Sequence, residues 1–376
     1  MYRYQPNNRF LAVAVLGLLL LTGCTSMGSR TIPRDSFNYN EAIAQSRNQQ
    51  MLLNIVRMRY LDIPDFLAVG SVIASYSYDG DVGIARTRTD DTSSVVPDTL
   101  TGRANLAYSE SPTITYSPLA GEEFSRRLLK PIPVEIIFSL GQAGWPVDIL
   151  LTITLQRIND VQNMGFGQVP SPGDVDTGRQ FAEEARKLEQ YQRTLELLLI
   201  LSQEGAVEVQ HRKGDESKLP YFHFAKNTSP RTSALIDELK HTLNLDPTLT
   251  TFRVTSRTTG RDKDEITIQS RSLLSIMSFL SRGIDVPEQD QADGRVVAIP
   301  PDALKEMLKR VPLRILSSKT RPPDPYVAVK YRNDWFHIDH AYIRSKRTFA
   351  TILVLFNLAA PTGSTAAPLL TLPTGR

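Results

Sequence analysis

The chain has 376 residues, 41% of them hydrophobic, with 43 Lys and Arg against 40 Asp and Glu, five His and a single Cys. Length and apolar share support a sizeable core, arranged as one large domain or two ordinary ones. The near balance of charge argues against a nucleic-acid footprint, and one cysteine excludes a disulfide within the chain.

At the N-terminus, Arg3 and Arg9 precede an uninterrupted apolar stretch over residues 10–21 that is too short to span a bilayer. It runs into Leu21-Thr22-Gly23-Cys24, which resembles the lipobox of bacterial lipoproteins. The resemblance implies that residues 1–23 are a signal peptide that is cleaved off, and that Cys24 carries a diacylglycerol thioether and an acyl chain such as palmitate. Acylation removes the thiol from redox and nucleophilic chemistry; the bland alternative is an ordinary secretory signal with an incidental Cys24. Thr25 instead of Asp after the cysteine points by analogy to the outer membrane, body facing the periplasm, with the inner membrane as the lesser alternative. Processing takes away Arg3 and Arg9 and no acidic residue, so the mature chain is almost neutral. The basic groups Arg126-Arg127, Arg212-Lys213 and Arg344, Lys346, Arg347 read as solvated faces, and no nucleic-acid partner is expected.

Residues 24–36 are polar, with Gly28 and Pro33, and read as a lipidated tether. Asn38 followed by Glu41 has capping-box spacing, and Leu52, Ile55, Val56 and Tyr60 recur at helical spacing until Pro64, which predicts a helix. Residues 66–84 and 103–116 read as the strands of a long hairpin with a polar, non-periodic tip over 87–101. Val72, Ala74, Tyr76 and Tyr78 alternate there with Ile73, Ser75 and Ser77. Such a hairpin is either a soluble sheet with a flexible tip or a contribution to a shared membrane barrel, whose strands run about 9–11 residues. In the second case its outward face would mix Ser, Ala and Tyr.

Helices are expected over 121–130 and 134–140, and a buried strand over 147–158, where Thr152, Ile153 and Thr154 favour extended backbone. The glycines and prolines of 165–177 suggest a boundary between an N-terminal subdomain, 37–164, and a C-terminal one, 178–376. A long helix then opens at Thr177 with Gln180 and closes at Gly205. Three hairpin-then-helix units follow. The first pairs 206–212 with 220–226 around Gly214-Asp215, before a helix capped at Ser229-Pro230. The second pairs 250–257 with 264–269 around Gly260, before a helix ending at Gly283. The third, after a short helix near Leu304, pairs 326–331 with 335–339 around Asn333-Asp334, before a helix capped by Ser345. The predicted fold is α+β: antiparallel sheets covered by helices, preceded by a cleaved signal peptide.

Chemistry-bearing patterns are sparse. The histidines are His211, His223, His241, His337 and His340, and the densest group is His337-Ile338-Asp339-His340. On a strand His337 and Asp339 share a face and His340 points away, so three convergent metal ligands do not arise. The spacings H-E-x-x-H, G-x-S-x-G, S-x-x-K and the P-loop are missing, and the carboxylate pairs Glu122-Glu123 and Asp62 with Asp65 read as solvated helix ends. No catalytic, metal or cofactor-binding residue is assigned. Tyr326, Tyr331, Arg332, Trp335 and Phe336 of the third unit form either a recognition surface for a peptide, glycan or partner strand, or core and cross-strand pairs.

Residues 34–40 (Arg-Asp-Ser-Phe-Asn-Tyr-Asn), 52–60 and 326–347 are similar to a group of proteobacterial lipoproteins, and the likeness covers most of the mature chain. It implies lipidation at Cys24 and brings no activity, cofactor or catalytic residue. The function expected is a membrane-anchored periplasmic lipoprotein, more a binding or scaffolding component of the envelope than an enzyme. Its partners would be the bilayer, through Cys24, and another envelope protein or glycan. Two alternatives stay open: an oligomeric export or pore component inserting the 66–116 hairpin, and an envelope hydrolase acting on glycan or peptide through His337 and Asp339.

Overall fold

The computed structural model describes residues 27–73, 76–87, 99–110, 113–119, 122–163, 177–210, 220–256, 262–297, 305 and 311–359. The signal peptide, Cys24, the expected boundary at 165–176, the turns at Gly214-Asp215 and Gly260, and Leu304 lie outside them.

The first helix, α1 (Met27–Arg59), begins well before Asn38, so the segment read as a tether is helical from Met27 on. Its second half supplies the nucleus: Met51, Leu52, Ile55 and Val56 are buried, and adding turns to a packed helix costs far less than nucleating one. The Asn38–Glu41 pair falls inside the helix and caps nothing. Leu61, at a φ of +61°, ends it, with the Asp62 amide donating to the Arg57 carbonyl at 2.9 Å.

The expected strands pair, and they run further toward the tip than the sequence limits; the tip itself, 88–98, lies outside the described residues. β1 (Leu67–Ile73) pairs with β4 (Thr113–Pro118), and β2 (Tyr76–Thr87) with β3 (Thr99–Glu110), all antiparallel. Two two-stranded sheets in a common register, from Leu67 opposite Pro118 to Ile73 opposite Thr113 and from Tyr76 opposite Glu110 to Thr87 opposite Thr99, together make the ribbon, with a bulge between Val69 and Ser71.

Helices α2 (Glu122–Leu129) and α3 (Val134–Gln142) match their expectations. Residues 147–158 do not form one strand: α4 (Val147–Thr154) is a helix that feeds β5 (Leu155–Ile158). Ile149, Leu150, Thr152, Ile153 and Thr154 are buried, so no polar face marks the helix in the sequence. The threonines that suggested extended backbone donate their hydroxyls back to Asp148 O at 2.6 Å and Leu150 O at 2.7 Å.

β5 continues into β6 (Val161–Gln162), and α5 (Thr177–Gln203) closes on Gly205 at a φ of +66°, as the sequence predicts. β7 (Val207–Gln210) and β8 (Tyr221–Phe224) form the first hairpin, and α6 (Pro230–Thr242) starts with Ser229 accepting from the Thr232 amide at 3.1 Å. The second pair departs from expectation. β9 (Thr251–Thr255) and β10 (Glu265–Ser270) run parallel, because β10 is central and pairs antiparallel with β5 on its other edge. The result is a mixed six-stranded sheet ordered β6-β5-β10-β9-β8-β7 that joins strands from both sides of residues 165–177.

α7 (Leu273–Ser281), capped by Ser272, and the short α8 (Glu288–Ala292) lead to a three-stranded sheet ordered β11-β13-β12, from β11 (Leu316–Ser318), β12 (Pro325–Tyr331) and β13 (Asp334–Asp339). Helix α9 (Ile343–Ala359) follows. Ser345 lies inside it rather than capping it, and its hydroxyl accepts from the Arg314 amide at 3.0 Å. Helices and sheets share one hydrophobic core, so the body is mixed α+β. The purely antiparallel arrangement expected from the hairpin grammar gives way at β9–β10.

Candidate functional site

Strand register gives the ribbon its chemistry. From Val72 onward, even-numbered residues of one strand lie opposite even-numbered residues of the other, and the two-residue period puts these pairs on one face. That face carries the pairs Tyr78–Tyr108, Gly80–Leu106, Val82–Ala104 and Ile84–Gly102. Charged positions bound the uncharged run at both ends: Glu110 opposite Tyr76 near the body, and Arg86 opposite Leu100 near the tip. The odd-numbered face is polar, with Ser77–Ser109, Asp79–Ala107, Asp81–Asn105, Gly83–Arg103 and Thr87–Thr99.

Both faces are open to solvent where burial is described. Gly80, Val82 and Ala104 are exposed on the uncharged face, and Asp79, Asp81, Arg103 and Asn105 on the polar one. Val82 is 78% exposed. An isolated two-stranded ribbon is marginal in water and leaves two rows of backbone donors and acceptors unpaired along its edges. The sequence showed the alternation as far as Tyr78. It concealed the rest because the uncharged face emerges only when 76–86 is set in register against 100–110.

The aromatic group of the third unit divides. Tyr331, Arg332 and Phe336 come together against the end of α1: the Tyr60 ring lies 5.2 Å from Tyr331 and 6.0 Å from Phe336, and the Arg332 guanidinium stands 4.9 Å above Tyr60. The Tyr331 hydroxyl donates to Asp62, which also pairs with Arg332 at 3.5 Å. Arg332 takes a φ of +52° in the two-residue β12–β13 turn, a conformation such turns demand. Phe336 is wholly buried. Trp335 is on the opposite face of β13, register partner of Lys330 and Ser318, with Arg321 5.6 Å above its ring. Tyr326 sits at the far end of β12 against Phe349. The five residues therefore brace several packing junctions and do not compose a single surface.

Behind Tyr60 is a polar latch that the sequence did not suggest. Its hydroxyl donates to Asp290 Oδ2 at 2.5 Å, and Arg295 Nη1 reaches Asp290 Oδ1 at 2.7 Å. Burial pushes the Asp290 carboxyl up, but the hydrogen bonds from Tyr60 and Arg295 and the nearby guanidinium charges outweigh it and hold the group below its ordinary value. Burial, with the adjacent carboxylate, raises the Tyr60 hydroxyl.

His337 and Asp339 share a face of β13. The Asp339 carboxylate accepts from the Ala341 amide at 2.7 Å, and burial keeps the His337 imidazole below its usual range. His340 Nδ1 lies 3.0 Å from Lys346 Nζ, and His223 Nδ1 2.9 Å from Thr251 Oγ1. Among the described residues, no three His, Cys, Asp or Glu side chains gather as a metal site would require, and no helix is long and apolar enough to cross a membrane.

Fold and site together define an α+β body that projects an amphipathic two-stranded ribbon. No family model matches the chain, and neither a curated protein nor a solved structure is similar to it.

Proposed function

We propose that this chain is a lipid-anchored envelope protein that oligomerises and inserts its 67–118 ribbon into the bilayer as one subunit's share of a common β-barrel. The observation that carries the proposal is the register-aligned run of uncharged residues between Glu110 and Arg86, backed by an equally continuous polar face. Ten residue steps separate Tyr76, opposite Glu110, from Arg86; at ~3.4 Å each and a tilt of ~45° the run between these charges covers about 24 Å, against an apolar barrel band of ~25 Å. Tyr76, Tyr78 and Tyr108 fall at the body end, where barrels carry interfacial aromatics. In a ring, each ribbon edge pairs with the next copy and no backbone group is left unpaired in lipid.

Acylated Cys24 would hold the protein at the outer membrane, facing the periplasm. The α+β body would then scaffold the ring, a role that requires no catalysis. Cysteine labelling in native membranes tests this. With Val82→Cys, a water-soluble maleimide is expected to react poorly; with Asp81→Cys, on the polar face, it is expected to react well. Equal labelling at both positions would defeat the barrel.

A further inference from the structure

A second feature, independent of the ribbon, lies inside the body. The six-stranded sheet and helices α3, α4 and α5 enclose a cleft of about 850 Å³. Its floor includes Leu150, Leu155, Ile158, Phe222, Ile266 and Ile268, all of them buried residues of the core. Protein interiors leave few gaps larger than a water molecule, whereas ligand pockets of roughly 300–1,000 Å³, apolar with a few polar groups, are common binding sites. The polar lining residues are Gln142, Asp148, Ser202, Gln203 and Glu208, all of them exposed. Two of them are acidic, and among the described lining residues there is no Lys, Arg or His.

From that charge pattern we infer that the cleft binds a single-chain amphiphile, its hydrocarbon tail against the sheet and a cationic amine head between Asp148 and Glu208. An apolar tail gains free energy in proportion to the area it removes from water, and Gln142, Ser202 and Gln203 supply further hydrogen-bond partners at the rim. A carboxylate or phosphate head meets two like charges and, among the described lining residues, no compensating cation, so these groups select against fatty acids by electrostatics.

Photocrosslinking in a lipid setting tests the assignment without detergent competing for the cleft. The full-length protein would be reconstituted in phosphatidylcholine vesicles with either of two diazirine-bearing probes, dodecylamine or dodecanoic acid, and the crosslinked peptides mapped by mass spectrometry. The amine probe is expected to label the α4 and α5 segments around Leu151 and Leu198, with at least about fivefold less labelling by the acid. Leu198→Trp, which fills the cleft, is expected to abolish that labelling. Asp148→Asn with Glu208→Gln, both at exposed positions, should bring the two probes level with the fold unchanged. Equal labelling of the wild type by both probes, labelling confined to the ribbon, or none in the cleft would each overturn the inference. None of these outcomes depends on whether the ribbons form a barrel.

Discussion

Arg271 illustrates how much a single residue holds in this core. It is 1% exposed, and its guanidinium lies 4.4 Å from the centre of the Phe279 ring. Nη1 donates to the carbonyls of Thr152, Ile153 and Leu155 at 3.2, 3.4 and 3.0 Å. Thr152 and Ile153 carry terminal carbonyls of α4, which no intrahelical amide reaches and whose dipoles favour a cation, and Leu155 is the first residue of β5. Tyr191 adds a bond to Leu151 O at 3.0 Å, and Asn163 one each to Thr152 O and Leu155 O. Burial pushes the Arg271 guanidinium down to about 10, so it stays charged at neutral pH. Arg271→Met should lower unfolding free energy by about 2–3 kcal/mol, measured by urea titration, because buried carbonyls lose a charged donor. At Gly283, an added Cβ would lie 1.8 Å from Leu313 O, and Gly283→Ala should cost roughly 3 kcal/mol by overpacking.

The Tyr60–Asp290–Arg295 latch carries a pH signature. A carboxyl whose folded pKa is depressed contributes stability that is present above its unfolded pKa, ~3.9, and lost as pH falls through the folded one. Asp290→Asn should therefore destabilise at pH 7, and the gap to wild type should narrow at pH 3. A gap of equal size at both values would mean that the carboxylate charge plays no part.

At the scale of elements, the ribbon makes the sharpest prediction. Val82 is exposed on the uncharged face, so Val82→Arg should leave the thermal stability of the body unchanged in solution, as surface substitutions do. In the bilayer it should cost about 2–4 kcal/mol per subunit, enough to dissociate a ring. Sedimentation in mild detergent would read the change. Elements with local signals were legible in the sequence: the Ser229-Pro230 cap, the Gly205 stop, and the paired strands of the hairpin. What failed depended on partners distant in sequence. The helix α4 lost its amphipathic signature by being surrounded, and β10 ran parallel to β9 because its other edge was already committed to β5. The ribbon's uncharged face needed a register that neither strand specifies alone. The aromatic residues of the third unit were visible, but Phe336 and Trp335 occupy opposite faces of one strand, so proximity in sequence did not mean a shared surface.

At the scale of the molecule, the parts suggest a division of labour. The mixed α+β body is continuous through its core and supplies rigidity, while the ribbon has both faces open where burial is described. A lipid at Cys24 would hold the body against the bilayer at the end of α1, whose far end leads through Phe66 directly into β1. Stable anchoring takes more than one acyl chain; the diacylglycerol and acyl groups expected at Cys24 would meet that need, and inserted ribbons would add a second, independent contact. Cys24→Ser should release the protein from the membrane fraction if acylation is the first attachment, and leave it there if the ribbons suffice. The measurement that bears most directly on the proposed barrel is the mass of the native protein extracted in mild detergent, by light scattering and native mass spectrometry. A homo-oligomer of ring size that falls to monomer with Val82→Arg is the predicted result; a wild-type monomer whose ribbon is freely cut by protease in intact membranes would contradict it.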